Sequence, residues 1–306
     1  MNAPARVLEA PASVAEGPSL AQRLAARGLD GLTLLVVPAA LFVLGLFVYP
    51  FLYGLWLSFQ PKAGGALANY ARFFSDPFLY GTIGTTLLLA LPVTIISIAI
   101  AVPIAMRVRL MRHQRLLTTI LVVPITLGTV LVAEGLLNYL GPQGWFNRVL
   151  MNLGLIAQPL PLLHNYWGVF ISLIITGFPF TFLLTLSYLS GVDPALEQAA
   201  ATLGAGAWAR FRLIFLPLLL AGLAITFCLS FVQAFSVFPS AVLLGAPAGP
   251  TRVISIAAYT AAFEEFDYPL ASAIAMIMAL VQLLIVAAVL FARGLFYRGS
   301  TAGGKG

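Results

Sequence analysis

One carboxylate stands inside an apolar run. Glu134 lies in "LVVPITLGTVLVAEGLLNYL" (residues 121–140), where an acid is costly to leave unpaired and is therefore a functional candidate. At about 1.5 Å per residue from Leu116, a straight helix places it roughly 27 Å along, near the far edge of a roughly 30 Å hydrocarbon core. Asn138, one turn on, could share its hydrogen bonds. Two readings follow: a ligand for an ammonium group, or a structural partner to a neighbouring chain. A second set is Gln233 and Ser236, at i and i+3 beside Phe235 and Phe238. Polar groups at that spacing either line a polar path or tie helices together.

Other reactive residues are sparse. Cys228 is the single cysteine, so neither a disulfide nor a cysteine metal cluster is implied. His113 and His164 are far apart and carry no ligand spacing. No catalytic pair falls inside an apolar run, so no catalytic or metal-ligating residue is assigned, which weighs against an intramembrane protease or transferase. Glu264, Glu265 and Asp267 form a compact acidic group, read as a solvated face or a docking patch. The terminal "GSTAGGKG" approaches a phosphate-binding loop but ends at Gly306 without a framing strand or helix, and reads as a tail.

The elements that must position these residues are membrane spans. The chain is 61% hydrophobic and 8% charged, with mean hydropathy +1.01, whereas soluble domains are about a quarter charged. Spans are expected at 32–59, 80–106, 116–140, 166–189, 216–244 and 268–297. Residues 1–31 lack the short apolar core and cleavage site of a signal peptide and read as a tail. "NLGLIAQPLPLLHN" reads as a loop, "NYARFFSDP" as a short interfacial helix, and Phe178–Pro179 as a packing kink. With the N-terminus inside, twelve Lys/Arg fall on the inner side, including Arg107, Arg109, Arg112, Arg115, Arg210 and Arg212. Four fall outside: Lys62, Arg72, Arg148 and Arg252. That bias places both termini in the cytoplasm.

Between the fourth and fifth spans, "LEQAAATLGAGAWARFRLIFLP" (196–217) interrupts the hydrocarbon. Asp193–Pro194 is a helix start. Leu196, Ala199, Ala200 and Leu203 follow at helical spacing, and Gly204 can end the helix in the left-handed conformation. A short helix over 194–204 on the inner surface is expected, its exposed face mostly alanine and suited to a protein groove rather than to lipid.

This stretch resembles the Glu-Ala-Ala loop of permease subunits of bacterial ABC importers: Glu-Ala-Ala, three residues, Gly, nine residues, Ile, one residue, Leu-Pro. Here Gln198, Ala199, Ala200, Gly204, Ile214, Leu216 and Pro217 keep that spacing. Gln198 stands where the family has Glu, with Glu197 one place earlier. "LNYLGPQGWFNRVLMNLGLI" and "FDYPLASAIAMIMALV" look like the spermidine/putrescine branch, over roughly 70–296.

The resemblance implies an all-α integral membrane fold of type I ABC importer permeases, with six transmembrane helices and a cytoplasmic coupling helix. Its parts would be a cytoplasmic tail (1–31), a first span (32–59), a periplasmic loop with an interfacial helix (60–77), an importer core (78–297) and a cytoplasmic tail (298–306). It implies a bacterial inner-membrane permease that is not itself an enzyme and binds no cofactor. ATP and Mg would be used by two copies of a separate ATPase, coupled through Glu197, Gln198, Ala199, Ala200, Gly204, Ile214, Leu216 and Pro217. A second, related permease and a periplasmic binding protein would complete the system. Glu134, Asn138, Gln233, Phe235 and Ser236 are the substrate-path candidates. The expected cargo is a polyamine-like or other small organic cation. Alternatives are ferric iron, sulfate, thiamine, aminoethylphosphonate or sugar in the same class, or an ion-coupled secondary transporter, which would want inverted repeats or an intramembrane relay.

Overall fold

The computed structural model describes residues 31–296; of the tails expected at 1–31 and 298–306, all but Gly31 lies outside them. Helix is the only regular secondary structure among the described residues, with no strand among them. Six helices are long and apolar enough to cross a membrane. Only closed backbone hydrogen bonding is tolerated in lipid, and helices supply it within one segment.

The chain divides into two compact units, residues 1–54 and 55–306. The described part of the first is α1 (Gly31–Val43), a π-helical turn (Leu44–Val48) and the start of α2 (Tyr49–Ser58). It is apolar on all sides: Leu41 and Phe47 are both exposed, as a helix surrounded by acyl chains requires.

The second unit is the bundle that positions the site. The remainder of α2 leads to α3 (Ala68–Ser75), and Asp76 then caps α4 (Pro77–Val108), its side chain accepting from the Phe78 amide at 2.9 Å. Next come α5 (Gln114–Leu140), α6 (Trp145–Asn152) and α7 (Tyr166–Ser190). The knuckle α8 (Pro194–Thr202) and the short α9 (Ala207–Arg210) lead through a π turn (Phe211–Phe215) into α10 (Leu216–Phe235). Two short helices follow, α11 (Pro239–Leu244) and α12 (Ile254–Tyr259), then a π turn (Thr260–Glu264) and α13 (Tyr268–Phe296).

Helix α4 packs most extensively on α7; α10 lies against both, α5 against α7, and α13 against α10 and α12. Lipid gives no hydrophobic drive to this packing, so close fit and hydroxyl pairs must supply it. Ala101 and Ala105 are fully buried on α4. A Cβ on Gly222 of α10 would fall 2.4 Å from the Tyr188 ring on α7, so only glycine permits that approach. Ser172 bonds Ser240 at 2.8 Å, and Thr181 bonds Ser230 at 2.8 Å.

Several expectations change. The fifth span runs over Ala207–Phe235, not 216–244. Pro217 has no N–H for the preceding turn, and the widened π turn absorbs that loss, so the helix stays continuous upstream of the proline. At its other end the helix stops at Ser236, and Phe238 turns the chain into α11. Helix α5 is broken at Gly128 (φ +75°), so the straight-helix depth assigned to Glu134, six residues later, does not hold. Helix α3 is more than interfacial: Phe73 is fully buried and Asn69 nearly so, its amide donating to the Ser58 carbonyl at 3.0 Å. Pro179 is buried inside a continuous α7, with Phe178 against Phe182. The segment 153–165 carries no helix, as expected for a loop. It is pinned by buried Asn147, which donates to the Gly141 and Leu160 carbonyls and accepts from the Leu160 amide.

Candidate functional site

The knuckle is a complete short helix with both ends satisfied. Asp193 Oδ1 accepts from the Ala195 amide at 2.8 Å, and Pro194 occupies the first turn. At the far end Gly204 has φ +83°. Its amide donates to Ala201 and the Ala205 amide to Ala200, both at 3.0 Å. This paired pattern closes a helix on a left-handed residue. The chain restarts immediately, since the Arg210 amide donates to Gly206 at 3.0 Å. Only Leu203 to Gly206 therefore separate α8 from the start of the continuous helix that becomes α10. Ile214 and Leu216 are half-buried around the π turn, and Pro217 is exposed.

The outward face is not simply alanine. Leu203 is 87% exposed and Leu196 is also exposed, with Ala199 and Gln198 beside them, while Ala200 turns inward. The polar grip falls on Glu197. Its Oε2 accepts from Arg109 Nη2, and its Oε1 lies 3.4 Å from Arg210 Nη1. Arg109 follows the last turn of α4. Its guanidinium lies 4.5 Å over the Phe215 ring, and only 9% of its side chain is exposed. Sequence reasoning used Arg109 and Arg210 only for topology. The one available signal was an acid beside the Ala-Ala pair with a basic loop preceding it.

A second feature lies between the helices. A cavity of about 320 Å³ is lined by α4, α7 and the end of α10, with Thr129 from α5 just beyond its break. Gln233 and Ser236 line it, together with Thr94, Ser97, Thr181 and Ser230, which the sequence did not single out. No charged side chain contributes to the lining. Most of its hydroxyls are engaged within the protein. Thr94 donates to the Ala90 carbonyl at 2.7 Å, and Ser236 accepts from Gln282 at 2.8 Å. Ser97 Oγ is buried and has no hydrogen-bond partner among the described residues.

The remaining path candidates lie elsewhere. Phe235 is fully buried in the core with Phe231. Glu134 and Asn138 are exposed on α5, outside the cavity lining. The Asn138 amide donates to the backbone carbonyl of Glu134 rather than to its carboxylate. Glu134 makes no ion pair among the described residues.

At the opposite end of the bundle the acidic group is largely neutralised. Asp267 lies 3.3 Å from Arg72 and 3.7 Å from Lys62, and Glu265 lies 3.6 Å from Arg72. Asp267 also caps α13 through the Leu270 amide at 3.3 Å. Part of what reads as an acidic patch in sequence thus fastens the loop after α2 to the start of α13.

Comparisons with known proteins agree with this architecture. Residues 63–299 match the family described as binding-protein-dependent transport system inner membrane component. The chain is 27% identical over 261 residues to the trehalose transport system permease protein SugA of Mycobacterium tuberculosis, covering 80% of this chain and 82% of that one. It is 28% identical over 181 residues to the spermidine/putrescine transport system permease protein PotB of Haemophilus influenzae, covering 58% and 63%. In fold it is similar to a chain of a bacterial alginate ABC transporter, solved in complex with its alginate pentasaccharide-bound periplasmic protein. That match has a TM-score of 0.76 at 22% identity, over 92% of this chain and 99% of the other. Relatives named for a disaccharide and for a polyamine match at similar identity, so the resemblance to one cargo branch widens to the family as a whole. The match over most of the chain, with six apolar helices and the knuckle between two of them, makes this protein a member of the binding-protein-dependent transport system inner membrane components, the membrane permeases of ABC importers.

Proposed function

We propose that the chain forms half of the translocation pathway of an ATP-driven importer and that α8 is its coupling helix. The observation that carries the reading is a short, fully capped helix, joined by a four-residue turn to a continuous span and presenting Leu196 and Leu203 outward. Exposed leucines on a capped helix fit a protein groove. The excess of basic residues at this end supports a cytoplasmic position for it. The partner in the groove is a separate ATPase, present in two copies, which uses ATP and Mg. A second, related permease completes the pore, and a periplasmic binding protein delivers cargo.

The lining, polar in part and without a carboxylate or a cation, supports a neutral cargo over a charged one. A sugar-like solute fits that lining best. A small organic cation is the second reading, supported by Glu134, which has no ion-pair partner among the described residues, and by the polyamine relative. Glu134→Gln separates them: a sugar-like cargo predicts unchanged uptake, and a cation ligand at Glu134 predicts a large loss. The importer reading is tested by purifying the chain from its native membrane and reconstituting it. Uptake should require a co-purifying ATPase and ATP; uptake driven by a proton or sodium gradient without an ATPase would refute it.

A further inference from the structure

We propose that Arg109 is a positioning residue for energy coupling, because with Arg210 it grips Glu197 and ties the coupling helix to α4 as well as to α10. This rests on the reading of α8 as the coupling helix. Glu197 uses its two carboxylate oxygens on two different elements: Oε2 on Arg109, past the end of α4, and Oε1 on Arg210, at the end of α9. Arg109 is itself clamped between that carboxylate and the face of Phe215. Phe215 is 1% exposed and packs in one cluster with Ala105 and Val108 of α4 and with Phe182 and Leu189 of α7.

The surroundings make this grip hard to replace. The Nε atoms of Arg109 and Arg210 are both buried without a hydrogen-bond partner among the described residues. Glu197 is the carboxylate that answers both guanidinium groups, so removing it leaves the mostly buried Arg109 and the partly buried Arg210 without that counter-charge. Lysine could not substitute for Arg109, because the planar guanidinium both stacks on Phe215 and points an amino group at Glu197.

The consequence concerns where motion goes. The covalent route from α8 leads only into α10 on one side and α7 on the other. The Arg109–Glu197 contact adds α4, which carries Thr94 and Ser97 into the cavity. Ser97 lies twelve residues before Arg109 on a helix continuous through Pro103, or about 18 Å at 1.5 Å per residue. A displacement of α8 is thus delivered to two of the cavity's walls, α4 and α10, together.

The test uses the whole complex in vesicles, with ATPase and binding protein, and reads uptake per ATP hydrolysed. Arg109→Met and Glu197→Gln should each lower that ratio about tenfold. In a Cys228→Ala background, Arg109→Cys with Glu197→Cys should lose coupling and recover it when a short bifunctional thiol reagent bridges the pair. A merely structural role would not be rescued by a neutral tether. Unchanged ratios in the single variants, or loss without rescue by the tether, would overturn the proposal. Absence of ATP-driven uptake in the wild type would overturn the importer reading itself, and the role of Arg109 with it.

Discussion

Two charge clusters at opposite ends of the bundle are built from similar parts and work differently. Each sets a carboxylate between two basic side chains drawn from different elements: Glu197 between Arg109 and Arg210, and Asp267 between Lys62 and Arg72. They differ in burial. The bases around Asp267 are exposed, with Arg72 at 54% and Lys62 at 58%, whereas Arg109 is at 9% and Arg210 at 26%. Exposed ion pairs contribute little because water and salt screen them. The Asp267 cluster therefore acts chiefly through the carboxylate's cap on α13. Loss of a member from the Glu197 cluster costs more, because Arg109 is mostly buried and Arg210 partly so. One cluster fastens a loop; the other, under the proposed coupling role of α8, carries force.

The largest test of that contrast is truncation of the two carboxylates. Glu197→Ala should cost about 3 kcal/mol through the stranded arginines, and Asp267→Ala about 1 kcal/mol through the lost cap. Thermal unfolding of the purified complex reads both; equal losses would erase the distinction. Next in size is Gly204→Val. A Cβ there meets no neighbour, so the cost is backbone strain of about 1–2 kcal/mol. The variant should insert normally, yet hydrolyse ATP without matching uptake.

A smaller effect is expected for Arg72→Gln, below about 0.5 kcal/mol and fading as salt rises, followed by melting at two ionic strengths. The smallest is Gln198→Glu. Residue 198 is exposed while Glu197 already makes the internal grip, so restoring the family's carboxylate should change transport little. A large gain would move the electrostatic role from Glu197 to position 198.

Much of this molecule is legible in its sequence, for a physical reason. Spans need long apolar runs, and a knuckle needs a cap, helical spacing and a left-handed stop; Asp193, Pro194 and Gly204 are such local signals. The fifth span shows where local reading fails. The span is expected to start at 216, yet its helix begins at Ala207 and runs on past Arg210 and Arg212 through a π turn that no residue pattern announced. Long-range pairing was also hidden. Nothing within "RVRLMRHQR" distinguishes Arg109 from its neighbours; only folding brings it to Glu197, 88 positions away. The cavity hydroxyls Thr94, Ser97, Thr181 and Ser230 lie in apolar runs where serine and threonine also serve as helix glue, so spacing alone did not separate lining from packing. Phe235, placed beside the path by spacing, turns into the core.

The central claim is that α8 is the surface on which a separate ATPase acts. Leu203, at 87% exposed, is its most outward large side chain. In a Cys228→Ala background, Leu203→Cys should form a thiol cross-link to the co-purified ATPase in native membranes and resist a membrane-impermeant reagent applied from outside intact cells. Labelling of that residue from outside, with no ATPase adduct, would contradict the account.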